Sequence, residues 1–379
     1  MSSIDADKPP LRHVHHTEAT RLVTSILTHN GVSGPSAALV AKCLIAADLR
    51  GVDTHGMSRV PSYMARIRRG VLDPAAQPSL SQVTPVVAHV DGRNSFGFLG
   101  AHMAMQAAIT SAETYGIGMA SVRRSNHFGM AAWVVQQALD AGMMSIVFTN
   151  SSPALPPFGG RSKLLGTSPL ACGAPGISTA ASVSATKGAA AVAGGGGGDF
   201  ILDMAPSVAA RGKIYKAKRR GERIPQDWAL DKDGRPTDDP DAALAGVLLP
   251  MGGPKGSALA IMMDVFSGVL SGSAFAGHVT GPYDTSSQEA PDVGHFMLAI
   301  KPDLFMNLDE FRGRLEYLYQ RVVGAEKAAG VDRIYFPGEM EQLVQRERLE
   351  TGIPLAQAEI DALNEEAERA GVQPMKFMS

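Results

Sequence analysis

Between Pro85 and Ser152 the sequence alternates between two hydrophobic periods, and this alternation constrains the fold more than any other feature. "PVVAHVDG" reads as a strand ending in a turn. "GAHMAMQAAITSAETYG" has helical spacing, "IGMASVRRS" reads as a buried strand, "AAWVVQQALDAG" as a second helix and "MMSIVFTNSS" as a third strand. Strands and helices in regular alternation predict an α/β architecture. The first 70 residues read as helical instead. "SAALVAKCLIAADLRG" places Leu39, Val40, Cys43, Leu44 and Ala47 on one face. "SRVPSYMARIRRG" predicts a helix capped by Ser58, with Pro61 in its first turn. Late in the chain, "PDLFMNLDEFRGRLEYLYQRVV" predicts an amphipathic helix, "RIYFPGE" a strand running into a turn and "PLAQAEIDALNEEAERAG" a charged helix.

The chain of 379 residues is long enough for two domains with their own cores, and 45% hydrophobic against 19% charged residues marks a globular protein. A net charge of −2 leaves no electrostatic footprint for nucleic acid. The basic stretch Lys213–Arg223 reads as a solvated loop or helix face, with an anion-attracting rim as the other reading. Two cysteines, Cys43 and Cys172, form no disulfide framework and fit a reducing cytoplasm. The polar N-terminus lacks the apolar core of a signal peptide, and no apolar run reaches the length of a membrane span. Residues 177–198 are almost all small and include five consecutive glycines. With so little apolar bulk they predict a flexible surface insertion.

Three clusters carry chemistry. No Gly-x-Gly-x-x-Gly follows a strand; "GIGMAS" after Tyr115 lacks the third glycine, so a Rossmann domain is not predicted. "MGGPKGSALAIMMD" instead places Gly252, Gly253, Lys255 and Gly256 before an apolar helix. This is either an ordinary glycine turn or an anion site built from a helix N-terminus and a lysine. "SNHFGMAAW" sets His127 between a strand and a helix, where ligands of α/β sheets bind and where a structural histidine is the alternative. "GVDTHGMSRVPSY" brings His55, Arg59 and Tyr63 to positions i, i+4 and i+8. Were the helix to extend to Ser58, they would share one side. Histidine exchanges a proton near neutral pH and arginine grips a carboxylate through two parallel hydrogen bonds, so this pair suits a carboxylate beside a carbonyl or hydroxyl. A surface pair on a helix start is the plainer reading. No histidine, cysteine and carboxylate group has metal spacing, so no metal is expected. No Gly-x-Ser-x-Gly elbow marks a hydrolase.

Seven stretches together resemble the malate/L-lactate dehydrogenase family of the second type, which includes malate, sulfolactate and ureidoglycolate dehydrogenases. They are "DLRGVDTHGMSRVPSY", "SNHFGMAAW", "TNSSPALPPFGG", "LLGTSPLACGAPG", "ILDMAPSVAARGKI", "LLPMGGPKGSALAIMMDVFSGVLSG" and "YFPGE", in family order. The resemblance implies an α/β fold with a non-Rossmann mixed-sheet nucleotide-binding domain and an α/β domain built from N- and C-terminal segments. It implies residues 119–283 as the NAD(P)-binding domain. Residues 1–118 and 284–379 would then handle substrate and dimerisation. The implied activity is hydride transfer between NAD or NADP and a 2-hydroxy or 2-oxo acid, in a cytoplasmic homodimer, at a cleft between domains. His55 and His127 match the family's two histidine positions, and Arg59 and Tyr63 its substrate side. Ser151, Asp203, Met204, Ala205 and Lys255 match its cofactor side, joined by Pro337, Gly338 and Glu339. A related branch reduces cyclic imino acids, and a catalytically silent homologue is the non-enzyme alternative. Two departures touch the cofactor rim: Ser168 stands where the family has asparagine, and the stretch 177–198 is longer than the family's turn.

Overall fold

The computed structural model describes residues 11–176, 198–281 and 288–378. Packing separates the described chain into two compact units. One holds residues up to Ala76 with those from Met340 onward, and the other holds Gln77–Glu339. The first unit opens with β1 (Arg12–Val14), α1 (His16–His29), α2 (Gly34–Leu49) and α3 (Val60–Arg68). Leu22, Val23, Ile26 and Leu27 of α1 are fully buried and pack on α2. Each such side chain contributes roughly 1.5–3 kcal/mol by leaving water.

The second unit runs through β2 (Ser79–Thr84), β3 (Val87–Asp91), α4 (Gly97–Tyr115), β4 (Ile117–Ser125), α5 (Ala131–Asp140), β5 (Met144–Thr149), β6 (Pro153–Leu155), β7 (Leu165–Gly166), β8 (Leu170–Ala174) and β9 (Phe200–Met204). It continues through α6 (Arg211–Arg220), β10 (Ala229–Leu230), α7 (Pro240–Ala245), β11 (Val247–Leu248), α8 (Pro254–Asp264), β12 (Val293–Ile300) and α9 (Leu308–Val323). Among the described residues, seven strands form one mixed sheet in the order β2-β3-β4-β12-β5-β8-β9. α4 packs on β3, β4 and β12, and α5 packs on β5, β8 and β9. α8 and the π-helical turn Val265–Val269 that follows it pack on β5 and β12. A satellite core of Leu155, Leu165, Ile214, Ala229 and Leu248 lies under α6 and the small strands. The chain then returns to the first unit with α10 (Glu339–Thr351), β13 (Ile353–Leu355) and α11 (Gln357–Arg369); β13 pairs with β1.

The α/β alternation from Pro85 to Ser152 stands as expected, as do α1 to α3, α8, α9 and α11. The mixed sheet of the second unit is the non-Rossmann arrangement that the missing glycine fingerprint implies. Three details differ. The boundary expected at 118/119 falls inside β4, because β2 and β3 extend the same sheet. "RIYFPGE" forms no strand; its apolar signal comes from Phe336, which is buried against Phe200 and Tyr319. Ser58 is not the cap of α3, since its hydroxyl donates to the Asp53 carbonyl (2.9 Å) and the helix begins at Val60. The central strand β12 carries no period-2 alternation because it is buried along most of its length between two neighbours. The basic stretch lies largely on α6, where Ile214 and Ala217 face the satellite core while Lys218 and Arg223 pair with Asp241 and Asp238. All of the stretch 177–198 except Gly198 lies outside the described residues.

Candidate active site

In the first unit the residues around His55 form no continuous helix. Asp53–His55 is one 3-10 turn and Met57–Arg59 a second, and Gly56 between them is extended (φ −89°, ψ −157°). The expected i, i+4, i+8 stripe is therefore interrupted, because the ladder that would align it breaks at Gly56. Tyr63 lies on α3 and is buried, 2% exposed. His55 and Arg59 nevertheless stay together. Thr54 Oγ1 lies 2.9 Å from His55 Nδ1, and Arg59 Nε donates to the Thr54 carbonyl at 2.5 Å. Desolvation first, and the Arg59 cation second, lower the His55 pKa from 6.5 to about 4 although the side chain is only half-buried by surface area. At neutral pH the imidazole is uncharged and able to accept a proton.

The turn rests on residues the sequence reading passed over. Asp48, 2% exposed at the end of α2, accepts from the Met57 N–H at 2.8 Å. Burial pushes its carboxyl well above the usual range, against the Met57 hydrogen bond and the Arg348 cation. A Cβ on Gly56 would sit 1.7 Å from Asp48 Oδ1, so only glycine lets the carboxylate pass. Arg348 of α10 donates to the Asp48 carbonyl and to the Asp53 carboxylate. The signal in the sequence was one acid, Asp48, inside an otherwise apolar helical run.

In the second unit, topology gathers the remaining candidates. β3 and β4 are parallel; β4 and β5 both run antiparallel to β12, and β9 runs antiparallel to β8, itself antiparallel to β5. The C-terminal ends of β4, β5 and β9 thus share one edge of the sheet, which carries His127, Ser151 and Asp203. Strand carboxyl ends are where open α/β sheets bind ligands. His127 is half-buried in the loop leading to α5. Its loop is anchored by Asn126, 1% exposed, whose amide donates to Ser95 O (2.8 Å) and Asn94 Oδ1 (3.0 Å). Asp203 Oδ2 accepts from Ala132 N at 2.8 Å, at the start of α5.

The other residues that the resemblance places on the cofactor side dock at opposite ends of β9. The Met251 N–H donates to Pro206 O (2.8 Å), holding the glycine turn that starts α8 beside Met204 and Ala205. Gly252 and Gly253 have positive φ (58° and 60°), and Lys255 is exposed on the first helical turn. On the other side Ile201 N donates to Pro337 O (3.1 Å), and Gly338, with φ +92°, packs its α-carbon against Ile201. Arg333 pairs with Glu339, which also accepts from Phe336 N at 3.0 Å. Ser151 Oγ is buried and, among the described residues, has no hydrogen-bond partner; Ser168 Oγ is in the same state, and both lie against Gly166. A backbone turn at a helix start, a lysine and an unsatisfied hydroxyl fit a phosphate-bearing dinucleotide.

These features define a class, the two-unit mixed α/β proteins with polar groups at the strand carboxyl ends and no Rossmann glycine loop. Within that class the chain belongs to the malate/L-lactate dehydrogenase family, whose sequence model matches residues 14–364. It is 35% identical over 367 residues to the malate dehydrogenase of Pyrococcus abyssi, covering 95% of each chain. It is 35% identical to a ureidoglycolate dehydrogenase (NAD(+)) of Escherichia coli O157:H7, covering 88% of this chain and 90% of the other. It is 34% identical to a (2R)-3-sulfolactate dehydrogenase (NADP(+)) of Chromohalobacter salexigens, covering 93% and 97%. Among solved structures, malate dehydrogenase from Entamoeba histolytica superposes with a TM-score of 0.86 at 30% identity, covering 96% of this chain and 99% of that one. A delta1-piperideine-2-carboxylate reductase from Pseudomonas syringae gives 0.80 at 28% identity, covering 94% and 100%. No described helix is long and apolar enough to cross a membrane.

Proposed function

We propose that this chain is an NAD(P)-dependent oxidoreductase that interconverts a small 2-hydroxy acid and its 2-oxo acid. The observation that carries the reading is the convergence of His127, Ser151 and Asp203 on one sheet edge, with the Lys255 turn docked just past the end of β9. The second unit binds the cofactor. Ser151 Oγ would gain the partner it lacks, Lys255 and the α8 N-terminus would meet phosphate, and Asp203 to Ala205 with Pro337 to Glu339 would line the rest. Bound nicotinamide supplies a hydride to the carbonyl carbon, or takes one from the alcohol carbon.

The first unit handles substrate. The Arg59 guanidinium clamps the carboxylate and fixes which carbonyl face is presented. His55, neutral through burial, accepts the hydroxyl proton during oxidation and returns it to the oxygen during reduction, a role worth about 10²–10⁴-fold in rate. Thr54 on Nδ1 fixes the ring, and Tyr63, buried on α3, completes the substrate side. His127 orients the reacting oxygen. The piperideine-2-carboxylate reductase neighbour favours a second reading, reduction of a cyclic C=N bond by the same groups. We also propose a cytoplasmic homodimer. Ile261, Val265, Val269 and Leu270 along α8 and its π turn, and Phe275 in the loop after them, are each at least 45% exposed, which supports a surface covered by a second copy. A spectrophotometric screen of 2-oxo acids and cyclic imines with NADH and NADPH tests the activity. Oxidation of either cofactor by a 2-oxo acid, lost in Arg59→Lys through a raised substrate KM, is expected. Turnover of imines alone would shift the reading to the second one, and no cofactor binding would refute both.

A further inference from the structure

Under the sheet edge lies a histidine with no part in this chemistry. His295 sits on β12 and is fully buried, 0% exposed. The β-bulge between Val293 and His295 sets its direction, and Gly294 is required there because a Cβ would meet Ser267 O at 1.5 Å. His295 Nδ1 lies 2.8 Å from Thr149 Oγ1, and Nε2 lies 2.8 Å from Ser125 Oγ. Both partners are the last residues of their strands, β4 and β5. His127 follows Ser125 by two residues, and Ser151 follows Thr149 by two. The Phe128 ring, next to His127, packs edge-on to the imidazole at 4.7 Å.

The Thr149 hydroxyl also lies 3.0 Å from Asn150 O and 3.1 Å from Gly294 O. Burial lowers the His295 pKa to about 3, so the ring is neutral, with one nitrogen donating and the other accepting. A hydroxyl can give or take a hydrogen bond, so either tautomer ties both strand ends. A carbon isostere would fill the space but tie neither strand end.

We propose that His295 is a positioning residue that staples the His127 loop to the Ser151 loop, through Ser125 on one side and Thr149 on the other. The assignment rests on the proposed function, which places His127 in the chemistry and Ser151 at the cofactor. It predicts that the two arms act on different kinetic constants. Ser125→Ala frees the His127 loop and lowers kcat by roughly 10-fold or more, with cofactor KM near wild type, because small misplacements of reacting groups cost up to about 10²-fold. Thr149→Val frees the Ser151 loop and raises cofactor KM by a similar factor, with a smaller effect on kcat. His295→Leu does both, and Thr149→Ser, which keeps the hydroxyl, restores wild-type constants. Should His295→Leu fail to fold, the two hydroxyl variants decide. A loss of melting temperature in these variants with no split between kcat and cofactor KM overturns the assignment, as do unchanged constants. A wild-type protein that neither binds NADH or NADPH by fluorescence nor oxidises them overturns the proposed function itself, and this assignment with it.

Discussion

Gly56→Ala is the smallest change that tests how the His55 turn is held. The backbone at Gly56 (φ −89°) is open to alanine, so the substitution acts through space alone. The new Cβ would lie 1.7 Å from Asp48 Oδ1, 2.2 Å from its Cγ and 2.5 Å from Oδ2. All three atoms belong to one short, buried carboxylate that cannot swing into water without leaving its pocket. It must retreat by more than an ångström, which breaks the 2.8 Å bond to Met57 N. Leaving a buried donor unpaired costs about 1–3 kcal/mol. Forcing an extra carbon into a packed site costs about 1–3 kcal/mol. The reduced entropy of the unfolded chain returns about 0.4–1 kcal/mol. The net is a destabilisation of roughly 1–6 kcal/mol, read by calorimetry as a melting temperature lowered by several degrees. His55 precedes the distorted residue, so kcat/KM for the preferred 2-oxo acid should fall by about 10²-fold. Adding Asp48→Ala removes the obstacle. The double variant should therefore be less destabilised than the two single changes summed, a coupling that contacting residues show and distant ones do not. A Gly56→Ala protein with wild-type melting temperature and wild-type kcat/KM would refute the reasoning.

His55→Gln should lower kcat and flatten the pH–rate profile. It should also change acid stability: with the folded pKa lowered to about 4, neutral His55 contributes stability in full above pH 6.5, and that contribution is lost as pH falls toward 4. Wild type should therefore lose about 1–3 kcal/mol more than His55→Gln between pH 7 and pH 4.5 in urea melts, the partial exposure of the ring trimming the effect; equal losses would sink the idea. Lys255→Ala should raise the cofactor KM far more than the substrate KM, and an unchanged cofactor KM removes Lys255 from the site. Light scattering should give at least twice the 39.8 kDa chain mass, and Val269→Glu should halve it; a wild-type monomer that still turns over rules out the dimer.

Local pattern carried the fold wherever an element's own residues decide its structure. α4 and β4 bury mainly one face or stripe, so their periods were visible, and α5 and β5 between turn signals repeat the alternation. β12 shows the opposite case. It is buried along most of its length between β4 and β5, so its apolar run "VGHFMLAI" could equally have been a short buried helix, and it was passed over although it holds the sheet together. α10 was missed for the reverse reason. "EMEQLVQRERLET" buries none of its residues and shows no apolar stripe. The C-terminal return that completes the first unit, with β13 pairing to β1, has its cause in residues more than 300 positions apart and could not be read locally.

The candidate site divides along the same line. The groups that would touch a ligand, His55, Arg59, His127 and Lys255, announce themselves, because reactive side chains flanked by glycines at element ends are unusual enough to notice. The groups that hold them do not. Nothing in "GVDTHGMSR" says that Gly56 must lack a side chain to admit Asp48, or that Arg348 must reach the Asp48 carbonyl. Both facts belong to tertiary approach. Yet each anchor left a trace that a stricter reading could use: Asp48 inside a mostly apolar helix and His295 inside an apolar strand are themselves buried polar residues. Burying such a group without partners costs several kcal/mol, so its presence demands partners. For Asp48 the partner is the backbone that precedes Arg59, and for His295 it is the two strand ends that precede His127 and Ser151. In each unit the isolated buried polar residue therefore holds the backbone that carries a candidate group.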